Sequence, residues 1–162
     1  MNKTQFGSSR EDLSKRATVY ASGLFTGKVV VVTGAGGGLG LAIATLFARL
    51  GANLAINGRN EEKLALAKEF LESFGGEVFA VPMTIREPEQ VEDFVAKTNQ
   101  EFGAIDVLVN NAGGQFPQAA LEFSPKGWNA VIDTNLNGTW WMMQSTARHW
   151  VANKQSGSIV NI

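Results

Sequence analysis

The chain has 162 residues, 44% hydrophobic and 18% charged, with a formal net charge of −1. That length supplies one domain with a real core, and a near-neutral charge gives no electrostatic case for nucleic acid or an anionic membrane surface as a partner. Cysteine is absent, which excludes disulfides, thiolate metal sites and a thiol nucleophile.

No apolar run is long enough to span a bilayer, and the first residues lack the apolar segment of a signal peptide, so a cytoplasmic protein is expected. The single histidine, His149, has no carboxylate or histidine at ligand spacing. It reads as a solvent-side residue late in a helix, and no metal site is expected. Residues 1–26 are polar and weakly patterned. They read as an N-terminal arm, disordered over Met1 to Arg16 and ordered near Leu24-Phe25. A single domain is expected over 27–162.

Val29 to Val32 are four β-branched residues in a row, the pattern of a strand buried on both faces. They run into five glycines within seven positions, Gly34, Gly36, Gly37, Gly38 and Gly40. Leu39, Ile43, Leu46, Phe47 and Leu50 then recur at helical spacing. Strand, glycine turn and helix let a backbone close around a pyrophosphate, with free N–H groups and the positive helix end facing the anion. A glycine-rich turn in another kind of α/β protein is the plain alternative. The spacing does not fit G-x-G-x-x-G, because the third glycine would fall on Leu39 or Leu41. It fits T-G-x-x-x-G-x-G through Thr33, Gly34, Gly38 and Gly40, and also T-G-x-x-G-x-x-G through Gly37.

Asn53 to Ile56 form a short second strand, ending in the turn cluster Asn57-Gly58-Arg59-Asn60, whose Asn60 can cap the next helix. No carboxylate follows this strand. An acidic residue there would bind a ribose 2′-hydroxyl and repel a 2′-phosphate, whereas Arg59 offers a fork suited to phosphate. The alternative is a surface arginine balancing Glu61 and Glu62. A helix with Leu64, Ala67, Leu71 and Phe74 on one stripe stops at Gly75-Gly76. Val78 to Val81 are a third strand. Glu87-Pro88-Glu89 opens a helix that buries Val91, Phe94, Val95 and Phe102 and closes at Gly103. Ile105 to Val109 are a fourth strand. The alternation predicts an α/β, Rossmann-type, doubly wound parallel sheet.

The fourth strand ends in Asn110-Asn111-Ala112-Gly113, amide side chains placed where parallel strands leave a crevice for ligand. Pro125 to Asn153 pattern as one helix, with Trp128, Val131, Ile132, Leu136, Thr139 and Met143 along a side that also carries Asn135. A buried amide must find partners, because an unpaired one costs about 1–3 kcal/mol. The tryptophans Trp128, Trp140, Trp141 and Trp150 read as core or interface packing. Ser156 to Ile162 read as a fifth strand after a turn.

The glycine loop after the first strand and Asn110-Asn111-Ala112-Gly113 after the fourth together resemble the short-chain dehydrogenase/reductase family, in its ordinary rather than extended branch. The resemblance runs from Leu24 to Ile162, the family's nucleotide-binding half. It implies a nicotinamide dinucleotide, for which Arg59 and the missing carboxylate favour NADP(H) over NAD(H), held by Thr33, Gly34, Gly36 to Gly38, Leu39, Gly40, Arg59, Asn111, Ala112 and Gly113. Many members place an Asp near the adenine after the third strand. Here Thr84 stands there, so its hydroxyl or the Ile85 backbone is expected to substitute. Thr134-Asn135-Leu136-Asn137-Gly138-Thr139 resembles the family stretch whose Asn belongs to the catalytic set, which implies a proton-relay role for Asn135.

In the family a catalytic Ser follows the fifth strand, and a Tyr-x-x-x-Lys pair comes later. The only tyrosine here is Tyr20, with no lysine four residues on. The implied reading is the N-terminal portion of an oxidoreductase that moves hydride to or from a small carbonyl, alcohol or enoyl-thioester substrate, its longer form a homo-oligomer. Two other readings stand beside it: a non-catalytic dinucleotide-binding module, and an extended-type epimerase or dehydratase portion. Asn110 to Pro117, with Lys126-Gly127-Trp128, further resembles the branch of trans-2-enoyl-CoA reductases and citronellol dehydrogenases. Alone, these 162 residues are expected to catalyse no hydride transfer and to associate through the Ile159 to Ile162 edge.

Overall fold

In a computed structural model, which describes residues 8–162, five parallel strands form one sheet in the order β3-β2-β1-β4-β5. The strands are β1 (Val29–Val32), β2 (Asn53–Gly58), β3 (Val78–Pro82), β4 (Val107–Asn110) and β5 (Ser158–Asn161). Between them run α2 (Gly38–Arg49), α3 (Glu61–Glu72), α4 (Pro88–Phe102), α5 (Pro125–Ile132) and α6 (Thr139–Asn153), and α1 (Arg10–Lys15) precedes β1. β1 lies between β2 and β4, with Val31 opposite both Ala55 and Leu108. The chain therefore winds outward from β1 in both directions, which opens a crevice at the carboxyl ends of β1 and β4.

The valine run is buried throughout because its side chains alternate between two cores. Val30 and Val32 join Leu54, Ile56, Leu64 and Leu71 beneath α2 and α3. Val31 joins Phe94, Leu108, Met142 and Trp150 beneath α4 and α6. Trp150 anchors that second layer, its indole N–H donating to the Ile105 carbonyl at 2.7 Å. Asn60 caps α3 by accepting from the Lys63 N–H at 2.8 Å, and Gly103 closes α4 in the left-handed region at φ 77°. No helix among the described residues is long and apolar enough to cross a membrane.

Three local expectations are corrected. Residues 10–15 of the arm are helical, not disordered: Ser9 and Asp12 form a reciprocal capping box. Arg49 donates to the Leu13 carbonyl at 3.0 Å, which fastens α1 to α2. Residues 1–7, which the same expectation covers, lie outside the described residues. Order near Leu24-Phe25 is as expected, with Phe25 edge-on to Phe47 at 4.8 Å.

The second correction concerns α2. Its buried face is Gly40, Leu41, Ala44, Thr45 and Ala48, while of the expected stripe Leu39 is exposed, Ile43 and Phe47 pack part-buried against the core, and Leu50 is buried. Small residues win that face because the helix starts hard against the glycine turn and must lie close to the sheet. The third concerns 125–153, which is not one regular helix. A π-helical turn, Asp133–Gly138, separates α5 from α6. Past it the buried stripe is Met142, Thr146 and Trp150, and Trp128, Leu136 and Asn135 are exposed. The added residue per turn rotates the apolar stripe away from the side that a constant helical period assigns. His149 lies in α6, its ring nitrogen 2.9 Å from the Asn153 amide.

Candidate functional site

The ends of β1 and β4 are tied together by side chains. Thr33 is fully buried, and its hydroxyl oxygen accepts from the N–H groups of Asn111 at 3.0 Å and Ala112 at 2.9 Å. The Asn111 side-chain amide returns a bond to the Thr33 carbonyl at 2.9 Å. Asn57, at the end of β2, accepts from the Gly34 N–H through its side chain at 3.2 Å and from the Ala35 N–H through its carbonyl at 3.0 Å. The turn out of β1 is thus held from both neighbouring strands.

Gly34 and Gly40 show two different reasons for glycine in this turn. Gly34 sits at φ +70°, and a Cβ there would lie 3.0 Å from the Ala112 Cα. A Cβ on Gly40 would overlap the Gly34 carbonyl oxygen and come within 2.5 Å of the Asn111 amide nitrogen. Gly37 and Gly38, by contrast, face open space. Among the described residues, the N–H groups of Gly36 and Gly37 have no acceptor.

Beside this turn lies a cleft of about 310 Å³. One wall is Gly34, Gly36 and Gly37; another is Asn57 to Asn60 with Lys63; the far side is Met83 to Arg86; and Asn111 to Gly113 with Thr134 close it. Of the expected residues, the structure brings Gly34, Gly36, Gly37, Arg59, Thr84, Ile85, Asn111, Ala112 and Gly113 to this one cleft. Thr33, Gly38, Leu39, Gly40 and Asn135 do not line it. Thr33 and Gly40 stand behind the turn, and Leu39 is 58% exposed at the start of α2. Asn135 adjoins the cleft through Thr134, its amide paired with both the N–H and the carbonyl of Gly114 at 2.9 Å.

Asn57, Gly58, Asn60, Lys63, Met83, Arg86 and Thr134 were not anticipated as lining residues. Asn57, Gly58 and Asn60 belong to the turn cluster after the second strand and Thr134 neighbours Asn135, and Lys63 stands in the first turn of the helix that Asn60 caps; Met83 and Arg86 carried no local signal. The cleft's ionisable side chains are Arg59, Lys63 and Arg86, all cationic, and no carboxylate lines it. Arg59 and Lys63 form no ion pair among the described residues, so Arg59 does not balance Glu61 or Glu62. The Asn57 side-chain nitrogen is buried without a partner. Free N–H groups, unpaired cations and an orphaned amide donor all suit an anionic dinucleotide.

A doubly wound parallel sheet with a glycine turn and an anion-suited cleft at its switch point defines a dinucleotide-binding α/β protein. The chain belongs to the short-chain dehydrogenase family, whose model matches residues 28–162. That family binds nicotinamide dinucleotides. A probable 2,4-dienoyl-CoA reductase of Bacillus subtilis (strain 168) is 39% identical over 135 residues, 83% of this chain and 53% of that protein. The citronellol catabolism dehydrogenase of Pseudomonas aeruginosa PAO1 superimposes with a TM-score of 0.83 at 38% identity, covering 89% of this chain and 59% of that one. A xylitol dehydrogenase crystallised with NAD⁺ gives a TM-score of 0.82 at 32% identity, covering 85% and 53%. The chain spans about half the length of the curated relatives it matches.

Proposed function

We propose that this chain is the N-terminal, cofactor-binding portion of an NADP(H)-dependent oxidoreductase, with the arm over 1–26 and the nucleotide-binding domain over 27–162. The observation that carries the reading is the cleft itself, with three cations, no carboxylate, and an Arg59 free of ion pairs. An unpaired guanidinium beside the end of β2 favours a 2′-phosphate over a bare 2′-hydroxyl. The glycine turn would hold the pyrophosphate through the N–H groups of Gly36 and Gly37, and Thr84 and Ile85 would border the adenine. Bound there, the nicotinamide would supply hydride donation or acceptance.

Asn135 is proposed to serve the proton relay, with its amide held by Gly114 beside the cleft. The substrate is a small carbonyl, alcohol or enoyl thioester, in line with relatives named for dienoyl-CoA reduction and citronellol catabolism. The longer protein is proposed to be a cytoplasmic homo-oligomer. Titration of NADP⁺ and NAD⁺ into wild-type protein and Arg59→Ala tests the cofactor assignment. NADP⁺ binds more tightly to wild type, and Arg59→Ala weakens it by roughly 10- to 100-fold, the worth of a charge-assisted hydrogen bond. NAD⁺ binding that is equal or tighter, with no response to Arg59→Ala, overturns it.

A further inference from the structure

The loop after β3 does more than border the cleft, because it grips the π-helical turn at both ends. At the first end, Arg86 Nε donates to the Thr134 hydroxyl oxygen at 2.6 Å, and Arg86 Nη2 donates to the Ala130 carbonyl at 3.1 Å. The same Thr134 hydroxyl donates to that carbonyl at 2.9 Å. Two side-chain donors therefore converge on one helical carbonyl just where the ladder changes period. At the second end, Ile85 packs into the space left by Gly138; a Cβ there would stand 2.6 Å from Ile85 Cγ1 and 2.9 Å from the Ile85 carbonyl oxygen.

Asn135 lies between these grips, adjacent to Thr134. It is exposed, and its amide is clasped to Gly114 by two bonds of 2.9 Å. A π-turn is a poor helix on its own, and it persists where outside contacts hold it. The guanidinium supplies a planar fork that reaches hydroxyl and carbonyl together, which a single ammonium cannot do.

We infer that Arg86 is a positioning residue that fixes the π-turn through Thr134 and Ala130, and so sets Asn135 in register with Gly114. The catalytic meaning of Asn135 rests on the function proposed above, but the clamp does not. It also joins the nucleotide cleft, which Thr84, Ile85 and Arg86 line, to the segment that carries the relay amide.

The test is amide hydrogen exchange and ¹H–¹⁵N spectroscopy on the protein with no nucleotide added, for wild type, Arg86→Met, Thr134→Val and Thr134→Ser. Arg86→Met and Thr134→Val lower protection of the Gly114 N–H by about tenfold or more and move the Asn135 side-chain amide signals, while Val31 and Leu108 in the sheet keep their protection. Thr134→Ser, which retains the hydroxyl, restores the wild-type pattern. Unchanged Gly114 protection in both of the first two variants overturns the inference. So does a uniform loss at Gly114, Val31 and Leu108, which would make Arg86 a general stabiliser. NADP⁺ titrated into the same wild-type sample tests the cofactor reading separately, since its failure to bind would sink that reading and leave the exchange result standing.

Discussion

Replacing Gly40 by alanine sets two effects of known size against each other. Within a helix, alanine is favoured over glycine by about 0.8–1.0 kcal/mol. Against this, the new methyl would overlap the Gly34 carbonyl oxygen and lie within 2.5 Å of the Asn111 amide nitrogen. Neither neighbour can retreat cheaply. The Gly34 N–H is bonded to Asn57, and on its Cβ side Gly34 has so little room that even a methyl would meet the Ala112 Cα at 3.0 Å. The Asn111 amide is bonded to the Thr33 carbonyl. Overpacking costs about 1–3 kcal/mol, and a half-buried amide pushed off its acceptor adds about 1–3 kcal/mol more. The net loss is about 3 kcal/mol, or a fall of about 6–12 °C in Tm for a domain of this size. Gly37→Ala is the matched control, because its φ of 177° is open to any residue and nothing lies within 4 Å of a Cβ there. Its stability should stay within about 0.5 kcal/mol of wild type, while its methyl, set on the cleft wall, weakens NADP⁺ binding. Urea denaturation and nucleotide titration of both variants separate packing from binding. A Gly40→Ala protein as stable as wild type, or a Gly37→Ala protein destabilised as much as Gly40→Ala, would refute the reasoning.

Gly38→Val should fold yet lose nucleotide binding. Its φ of +56° strains a β-branched residue by about 1–2 kcal/mol, but no protein atom crowds it; unchanged affinity in the folded variant contradicts a place for Gly38 at the phosphates. The α1 cap should be acid-labile, because the Ser9 hydroxyl and backbone N–H hold the Asp12 carboxylate below its ordinary 3.8. With the folded value lowered, the cap is complete above that ordinary value and lost as pH falls through the lowered one. Amide shifts of Ser9 and Asp12 followed from about pH 6 to about pH 2 should show this, and an Asp12→Asn protein should lack the transition; a cap that melts as pH rises disproves it. A polypeptide of these 162 residues should transfer no hydride and should self-associate. Its sole tyrosine, Tyr20, lines a separate cavity beside Leu13 and Arg49, and Ile159, Val160 and Ile162 are 37%, 45% and 68% exposed. Turnover by a monodisperse monomer in sedimentation would count against both parts.

Where the chain repeats a physical period over many residues, the fold was legible. The valine run, the apolar stripe of α3 and the Pro88-to-Gly103 helix each obey one rule from end to end. The misreadings fall where a second rule intrudes. α1 is a single short helix held by Ser9, Asp12 and a bond from Arg49, and Leu13 alone among five polar residues makes no apolar stripe to announce it. On α2, hydropathy points to Leu39, Ile43 and Phe47; the last two do pack part-buried against the core, but closeness to the sheet buries Gly40, Ala44 and Ala48 and leaves Leu39 exposed. The π-turn leaves the helical pattern of 125–153 intact on either side, so only the rotated stripe of Met142, Thr146 and Trp150 betrays it.

The candidate site divides along a similar line. Gly34, Asn111 and Arg59 were legible because each stands at the carboxyl end of a strand, where chain direction alone decides what reaches the crevice. Thr33 marks the same place, yet its hydroxyl turns inward to bind the Asn111 and Ala112 N–H groups, so it holds the crevice together from behind. The charge of the cleft could not be read from any window of sequence. Arg59 and Lys63 flank Glu61 and Glu62, and Arg86 precedes Glu87, so each local stretch is close to neutral. The first turn of α3 directs Lys63 to the cleft and both glutamates elsewhere, and Arg86 reaches across 48 residues of chain to Thr134. Folding sorts these neighbours by direction rather than by composition, and an anion-suited surface emerges from a chain whose net charge is only −1.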